Sequence, residues 1–245
     1  MPTDTDTLAP AAWTLLTTAA AFAPDTPLPR ALLRQTLDGM DVPGLAESLD
    51  AAEAWLIAQA WLGRLTEDPE LLIVPPQARA AVRARLGNDA LFAQLQDGVA
   101  AVVYAALEAA QTAQNVDQIA AILLQAVGVA REAIARGSEL AADLAWLAGD
   151  MLARLGDAQA EPLLAAVVAA DTGSAENTLS VAGALVWLGA FAVARGDRTQ
   201  GGAYYARAVT ICASRLGSEH WITRDTRATM QRVLGRDGWP APETA

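Results

Sequence analysis

Four aspartates recur at intervals of forty residues along this chain: Asp117, Asp157, Asp197 and Asp237. Paired carboxylates can perform general acid–base catalysis, in which one group gives a proton and the other takes one. A fixed period of this length, however, is typical of stacked helical repeats, in which equivalent residues follow one edge and do not converge. We therefore expect these aspartates to form or cap helix turns, with an acid–base enzyme as the less favoured alternative.

Few other side chains in the sequence could carry out chemistry. His220 is the only histidine, Cys212 is the only cysteine, and all 17 basic residues are arginines. The absence of lysine excludes a P-loop ATPase module and Schiff-base catalysis, and one cysteine permits no intrachain disulfide or cysteine-rich zinc site. We expect His220 to pack against or cap a helix and Cys212 to be a small buried hydrophobic residue. The sequence therefore predicts no enzyme, no cofactor and no metal.

Composition and charge restrict the class of protein further. The chain is rich in alanine and leucine, which favours helices. Its formal net charge of −11 argues against nucleic-acid binding, because phosphate contacts need clustered cations. No uninterrupted apolar run reaches the roughly 20 residues that span a bilayer, and the N-terminus lacks a signal-peptide pattern. We predict a mainly α, cytoplasmic protein that binds neither nucleic acid nor membrane.

Helix punctuation recurs from about residue 88 onward. Breaks that begin with Gly-Ser stand at 137–139, 173–176 and 217–219, and the pairs Gly156-Asp157 and Gly196-Asp197 lie between them. Glycine suits the left-handed position that ends a helix, and serine can cap the next helix. Each unit is therefore predicted to be a helix, a tight turn, a second helix and a break.

The clearest unit spans residues 180–217. Its characteristic residues are Leu185, Leu188, Gly189 and Ala192 in the first helix and Gly201, Tyr205 and Ala208 in the second. This pattern resembles a tetratricopeptide repeat, in which small residues allow the helices to approach and an aromatic residue fills the groove. The stretch 216–223 is similar to the entry of the longer repeats of kinesin light chains, with Trp221 in place of proline. The unit 139–171 departs from the pattern at Glu161, and the flanking units 98–136 and 221–239 have Val116-Asp117 and Arg236-Asp237 at their turns.

The first 87 residues follow another pattern. They predict helices from about Leu8 to Phe22, 29–37, 42 or 45 to 62, and 77–86, with a single strand over 71–74. This order is that of a winged helix. Residues 22–29 with Leu32-Leu33, and the run 51–73, resemble the winged helix of STAND-class signalling ATPases, the NB-ARC and NACHT relatives. In those proteins the module lies between the ATPase and a C-terminal repeat array, which implies a separate or fused ATPase or effector as partner.

Two features depart from what this resemblance implies. Val74-Pro75-Pro76 stands where the NB-ARC relatives carry a histidine that contacts the bound nucleotide. The predicted recognition helix presents Glu47, Asp50 and Glu53, whose charges would repel DNA. We interpret the arginines at 79, 83 and 85 on the next helix as a solvated face.

The predicted fold is a mainly α chain with a winged-helix-like domain at 1–87, which has one short β wing. An α-α superhelix of about three to four tetratricopeptide-like helix pairs follows at 88–245. We predict a scaffold that binds a protein or peptide through the first helices of the repeats. Trp146, Asp150 and Arg154 share one helix face, and Trp187 could extend that surface. Alternatively both tryptophans fill the seam between repeats, or the chain is a regulatory subunit or fragment of a STAND-type ATPase system.

Overall fold

The computed structural model describes residues 9–40, 45–138, 140–171 and 178–235. These residues form eleven helices and three short strands, with 77% helix and 3% strand. The prediction of a mainly α protein is therefore confirmed. By its internal contacts the chain divides into two compact units, residues 1–140 (unit 1) and residues 141–245 (unit 2).

Unit 1 contains six helices and the three strands. Its elements are α1 (Pro10–Ala21), β1 (Leu28–Pro29), α2 (Arg30–Asp38), α3 (Leu45–Ala58), β2 (Gly63–Arg64), β3 (Leu71–Ile73), α4 (Pro76–Leu86), α5 (Asp89–Thr112) and α6 (Val116–Arg136). The strands form an antiparallel sheet in the order β1-β3-β2, in which Leu72 is opposite Leu28 on one side and Arg64 on the other.

The prediction of a single strand in this region is wrong. β1 and β2 each have only two residues, which is too short for the alternation of apolar and polar residues that identifies a strand. The third helix also ends four residues before the predicted Leu62. Ala60 takes a left-handed backbone conformation there, and the amides of Trp61 and Leu62 both donate to the carbonyl of Leu56.

One buried polar side chain joins α6 to the turn that follows α1. Gln125 is fully buried, and its Oε1 accepts from the backbone amide of Ala23 at 3.1 Å. Its Nε2 lies 3.0 Å from the carbonyl oxygen of Thr26 and 3.2 Å from that of Pro27. Gly128, one turn later, allows close approach, because a Cβ there would lie 2.4 Å from the Cβ of Ala23. The proline-rich string 22–29 is thus held by α6.

Unit 2 contains five helices: α7 (Ala141–Leu155), α8 (Ala160–Ala169), α9 (Thr178–Ala194), α10 (Arg198–Leu216) and α11 (Trp221–Leu234). Each packs against the next, and α7 also packs against α9. The small residues of the 180–217 unit lie at these contacts, as the sequence predicted. A Cβ at Gly189 would lie 2.9 Å from the ring of Tyr205, and one at Gly201 would lie 2.5 Å from Val193.

The two Gly-Asp pairs form turns of the same geometry. Gly156 and Gly196 have positive φ angles of 72° and 89°. Asp157 donates its amide to Leu152 at 2.9 Å, and Asp197 donates its amide to Ala192 at 2.9 Å. These bonds and those of the preceding glycines form the six-residue pattern that closes a helix C-terminus. The predicted hairpin turns at these two places are confirmed.

The corresponding turn between α5 and α6 lies two residues before its predicted place at Val116-Asp117. Gln114 takes the left-handed conformation with φ of 54°, and Asn115 donates its amide to Ala110 and caps α6. Asp117 lies in the first turn of α6. The sequence misplaced this turn because a glutamine occupies the position that glycine takes in the other two. Asp237, Glu139 and the break at 173–176 lie outside the described residues.

The predicted domain boundary at residue 87 coincides with the end of α4, where Gly87 takes a positive φ of 60°. The compact units divide the chain between residues 140 and 141 instead, because α5 packs against α1, α2 and α4. By this division the hairpin of α5 and α6, which we assigned to the repeat domain, is part of unit 1.

Candidate binding surface of α7 and α9

The predicted binding residues lie on two neighbouring helices of unit 2. Trp146, Asp150 and Arg154 follow one another at four-residue steps along α7, and Trp187 lies on α9. Most residues of α7 are buried, and most of the buried ones are small or aliphatic. The predicted residues therefore occupy a narrow strip along the contact between the two helices.

Asp150 is the centre of this strip. Its carboxylate is buried, with the residue 5% exposed, and its Oδ1 accepts from the indole Nε1 of Trp187 at 2.8 Å. Arg154 donates its Nε to Oδ2 at 2.7 Å and its Nη2 to Oδ1 at 3.2 Å. The hydrogen bond to Asp150 raises the pKa of the Arg154 guanidinium. One buried carboxylate thus holds an aromatic ring and a permanent cation.

Trp146 contacts the backbone of α9. A Cβ at Gly183 would lie only 2.1 Å from the indole Nε1 of Trp146, so the ring rests directly against this glycine. That Nε1 atom is buried and has no hydrogen-bond partner among the described residues. The whole residue is half-buried. Trp146 therefore fills space between the helices and also reaches the surface.

Exposed groups lie at the end of the strip. The Arg154 side chain is 65% exposed, although two of its nitrogens bond to Asp150. Trp187 is half-buried and stacks on Phe191, with ring centroids 6.0 Å apart and planes 27° apart. The structure brings Asp150, Arg154 and Trp187 into direct contact and leaves Trp146 one turn earlier on the same strip.

The sequence predicted Trp187 of α9 as part of this surface but missed Ser180 and Gly183, which complete the strip. Ser180 donates to Asp143, Gly183 receives Trp146, and Trp187 donates to Asp150. The three pairs share one offset of 37 residues, which differs from the 40-residue period of the turns. In each pair the α9 residue lies 37 positions after its α7 partner. A search for complementary residues at one constant offset could therefore have predicted the contact.

Two of the repeated aspartates, Asp157 and Asp197, are exposed capping residues. Asp197 accepts from the amide of Gln200 at 2.9 Å, and Asp157 accepts from the amide of Gln159 at 2.8 Å. The capping role that we predicted is confirmed for these two residues. Within the described ranges, no group of three or more His, Cys, Asp or Glu residues is arranged to hold a metal ion.

The lone histidine and cysteine also have structural roles. His220 is the N-cap of α11, and its Nδ1 accepts from the amide of Ile222 at 3.3 Å. Cys212 is only 2% exposed, and burial raises the pKa of its thiol above the ordinary value. Both predictions for these residues are confirmed.

The acidic residues of α3 are paired with arginines. Glu53 is buried and accepts from Arg30 Nε and Arg64 Nη2, both at 2.8 Å. Asp50 accepts from Arg34, and this hydrogen bond lowers the pKa of Asp50. The arginines of this region therefore bind protein carboxylates.

Two described helices, α5 and α6, are long and apolar enough to cross a membrane. About 40% of each apolar segment is buried inside the structure (39% and 44%), and core helices of soluble proteins pass the same test. Gln125 of α6 is hydrogen-bonded to the turn after α1. Length and apolar composition are therefore weak evidence for membrane insertion here.

Comparison with protein-family models, with curated proteins and with solved structures gives no match.

Proposed function

We propose that unit 2 binds a protein or peptide through the exposed strip of α7 and α9, and that the chain is not an enzyme. The observation that carries this proposal is the Asp150 contact, which fixes Trp187 and Arg154 side by side. Tryptophan and arginine are the residues that most often anchor interfaces. Side chains that are already held in place lose less conformational entropy when a partner binds.

The helical hairpins of unit 2 support a tetratricopeptide-like interpretation. The Gly-Asp turns repeat, and Gly189 and Tyr205 pack together as the repeat pattern requires. In an array of this kind the first helices of successive pairs form one continuous face. α7 and α9 are those first helices, and they contact each other.

The chemistry of the strip favours a partner segment that carries a carboxylate next to an apolar side chain. The exposed Arg154 guanidinium has further donors for a carboxylate beyond the two that bond to Asp150. The stacked pair of Trp187 and Phe191 supplies an apolar face beside it. The chain carries a net charge of −11 and repels a partner that is acidic throughout. We therefore expect the acidic residues of the partner to be confined to the segment that contacts Arg154.

Selection of displayed random peptides on the immobilised full chain tests this proposal. We expect enriched peptides to contain an acidic residue near an apolar one. Their affinity for the Arg154→Ala variant should fall by about tenfold, because a charged hydrogen bond is lost. Because Arg154 also pairs with the buried carboxylate of Asp150, we expect the variant to melt at a lower temperature than wild type, and the affinities are compared at a temperature at which both proteins are folded.

Arg224→Ala is the matched control, because Arg224 is an exposed arginine of α11 in the same unit. Its affinity for the enriched peptides should stay within about twofold of wild type. Enrichment of no peptides, or equal loss of affinity in the two variants, contradicts the proposal.

A second candidate function rests on unit 1. The order helix, strand, helix, helix, strand, strand and the β1-β3-β2 sheet support the winged-helix-like interpretation. We propose as the alternative that the chain regulates a separate or fused ATPase or effector and docks through this unit. Trp55 of α3 is 40% exposed and is a candidate anchor. Ligands that lose affinity for Trp55→Ala but not for Arg154→Ala favour this alternative over the first proposal.

We propose a cytoplasmic location and no binding to nucleic acid. The pairing of Arg30 and Arg64 with Glu53 supports the second part, because the buried carboxylate of Glu53 offsets their charge with little screening by water. An electrophoretic mobility assay with random-sequence duplex DNA at low salt should give no shift. A shift that disappears as salt rises contradicts this part of the proposal.

A further inference from the structure

We propose that unit 1 contains a binding site for a small phosphate-bearing molecule, in the pocket where α4, α5 and α6 meet. The pocket has a volume of about 370 Å³, which lies within the range of small-molecule sites. Three arginines line it: Arg79 and Arg83 from α4 and Arg136 from the last turn of α6. The sequence suggested a solvated face for the α4 arginines, but the Arg79 side chain is only 14% exposed.

The protein fixes these guanidinium groups without using all of their donors. Arg79 Nη2 lies 2.7 Å from Glu132, Arg83 Nη2 lies 2.9 Å from Asp89, and Arg136 Nη2 lies 2.9 Å from Asp97. The guanidinium carbons of Arg79 and Arg83 also lie 5.6 Å and 5.4 Å from the centre of the Phe92 ring. Cation–π contacts of this length help to hold the arginines in place.

Two donors at this pocket are unmatched by the protein. The Nε atoms of Arg79 and Arg136 are buried and have no hydrogen-bond partner among the described residues. A buried donor without a partner is unfavourable, and most such donors in proteins are satisfied. An anion that accepts from these atoms removes this unfavourable feature, because its oxygens supply the missing acceptors.

The charge of the lining favours an anion. Three guanidinium groups and the single carboxylate of Glu132 line the pocket, which gives the lining a net charge of +2. The carboxylates of Asp89 and Asp97 are not in the lining and are 86% and 46% exposed, so water screens their charge. In a chain of net charge −11, this concentration of cations is a local exception.

Phosphate fits the arrangement better than a carboxylate does. A carboxylate offers two oxygens in one plane, and the fork of a single guanidinium satisfies it. A phosphate monoester carries a charge near −2 at neutral pH and three acceptor oxygens in a tetrahedral arrangement. Three guanidinium groups that come from two helices can each bind one of those oxygens.

Isothermal titration of the full chain with inorganic phosphate, and separately with glycerol 2-phosphate, tests the proposal at constant ionic strength. We expect saturable binding with a Kd of about 1 mM or tighter for at least one probe. Stronger binding of the ester identifies an organic phosphate as the ligand, and stronger binding of inorganic phosphate identifies the free ion. Acetate, which lacks the third oxygen, should bind about tenfold more weakly than phosphate.

Arg83→Gln and Arg136→Gln should each weaken phosphate binding by about fivefold or more, because each removes one charged donor. Arg215→Gln is the control, since Arg215 is an exposed arginine at the end of α10. Circular dichroism spectra and melting temperatures check that each variant is folded, and the result is taken from whichever of the two pocket variants keeps the wild-type melting temperature. Absence of saturable binding to the wild type, or equal affinities in the pocket variants and the control, overturns the proposal. Neither result bears on peptide binding by unit 2.

Discussion

Trp146 is the residue whose role the sequence left most open, since it could anchor a partner or fill the seam between repeats. Its indole rests on Gly183 of α9, where a Cβ would lie 2.1 Å from Nε1. A ring in this position contributes to packing whether or not a partner also touches it. Substitution of the glycine tests the contact without removal of the tryptophan.

We expect Gly183→Ala to lower the free energy of unfolding by about 1–3 kcal/mol, because the added methyl group must displace the indole. Gly98→Ala is the matched control: Gly98 is an exposed glycine inside α5, and a Cβ there meets no atom within 4 Å. That variant should gain about 0.5–1 kcal/mol from the better helix propensity of alanine. Urea unfolding followed by circular dichroism measures both changes. A gain in stability from Gly183→Ala would mean that Trp146 moves freely and is a surface residue.

The sequence predicted all four residues of this site, Trp146, Asp150, Arg154 and Trp187, but not the contacts between them. Four-residue steps placed Trp146, Asp150 and Arg154 on one face, since helical spacing is local information. That Asp150 bonds to Trp187 depends on how α7 and α9 cross, and helix crossing is set by packing that no single-helix pattern contains. The burial of Asp150 was missed for the same reason.

At the scale of the elements, the three described aspartates of the forty-residue series occupy two kinds of position. Asp157 and Asp197 follow a left-handed glycine and cap a turn or helix, whereas Asp117 lies inside the first turn of α6. In α6 the capping side chain is Asn115, which accepts from the amide of Gln118 at 3.1 Å. The aspartates therefore recur every forty residues in the sequence but do not all occupy equivalent places in the structure. In the turn between α5 and α6 the left-handed position is taken by Gln114, two residues before the place that the period predicts.

We expect Asn115→Ala to destabilise the chain by about 1 kcal/mol, because a helix cap is lost. Asp117→Ala, two residues away on the same exposed turn, should cost only about 0.3–0.5 kcal/mol through the lost interaction with the helix dipole. Chemical denaturation of the two variants under the same conditions measures the difference. If Asp117→Ala is the more damaging substitution, Asp117 has a role that the structure does not assign to it.

Local signals predicted most helix bounds in unit 1, because proline starts and glycine ends are read from neighbouring residues. α4 begins at Pro76 and ends before Gly87, close to the predicted 77–86. The strand β1 was missed because its pairing with β3 joins residues more than forty positions apart in sequence. Long-range pairing of this kind is set by the whole unit. The strand β2 pairs with β3 nearby in sequence but, with two residues, is too short to show an alternating pattern.

At the scale of the whole molecule, the N-terminal folding unit extends further than the change in sequence pattern. The sequence pattern changes near residue 87, but the fold of unit 1 continues to residue 140. α5 packs against α1, α2 and α4, and α6 supplies Gln125 to the turn at 23–27. Removal of α5 and α6 would expose the apolar residues that they cover and leave the amide of Ala23 without its partner.

Fragments 1–87 and 1–140 therefore should differ in their ability to fold. We expect residues 1–140 to unfold cooperatively with urea, because this fragment keeps the buried bonds of Gln125 and the apolar contacts of α5. Residues 1–87 should lack a cooperative transition, since each buried polar group left unsatisfied costs about 1–3 kcal/mol and the core loses its α5 side. Within fragment 1–140, Gln125→Ala provides the internal control and should lower the midpoint without abolishing the transition. A cooperative transition of residues 1–87 at the midpoint of the longer fragment would support the predicted boundary at residue 87 and the assignment of the α5–α6 hairpin to the repeat array.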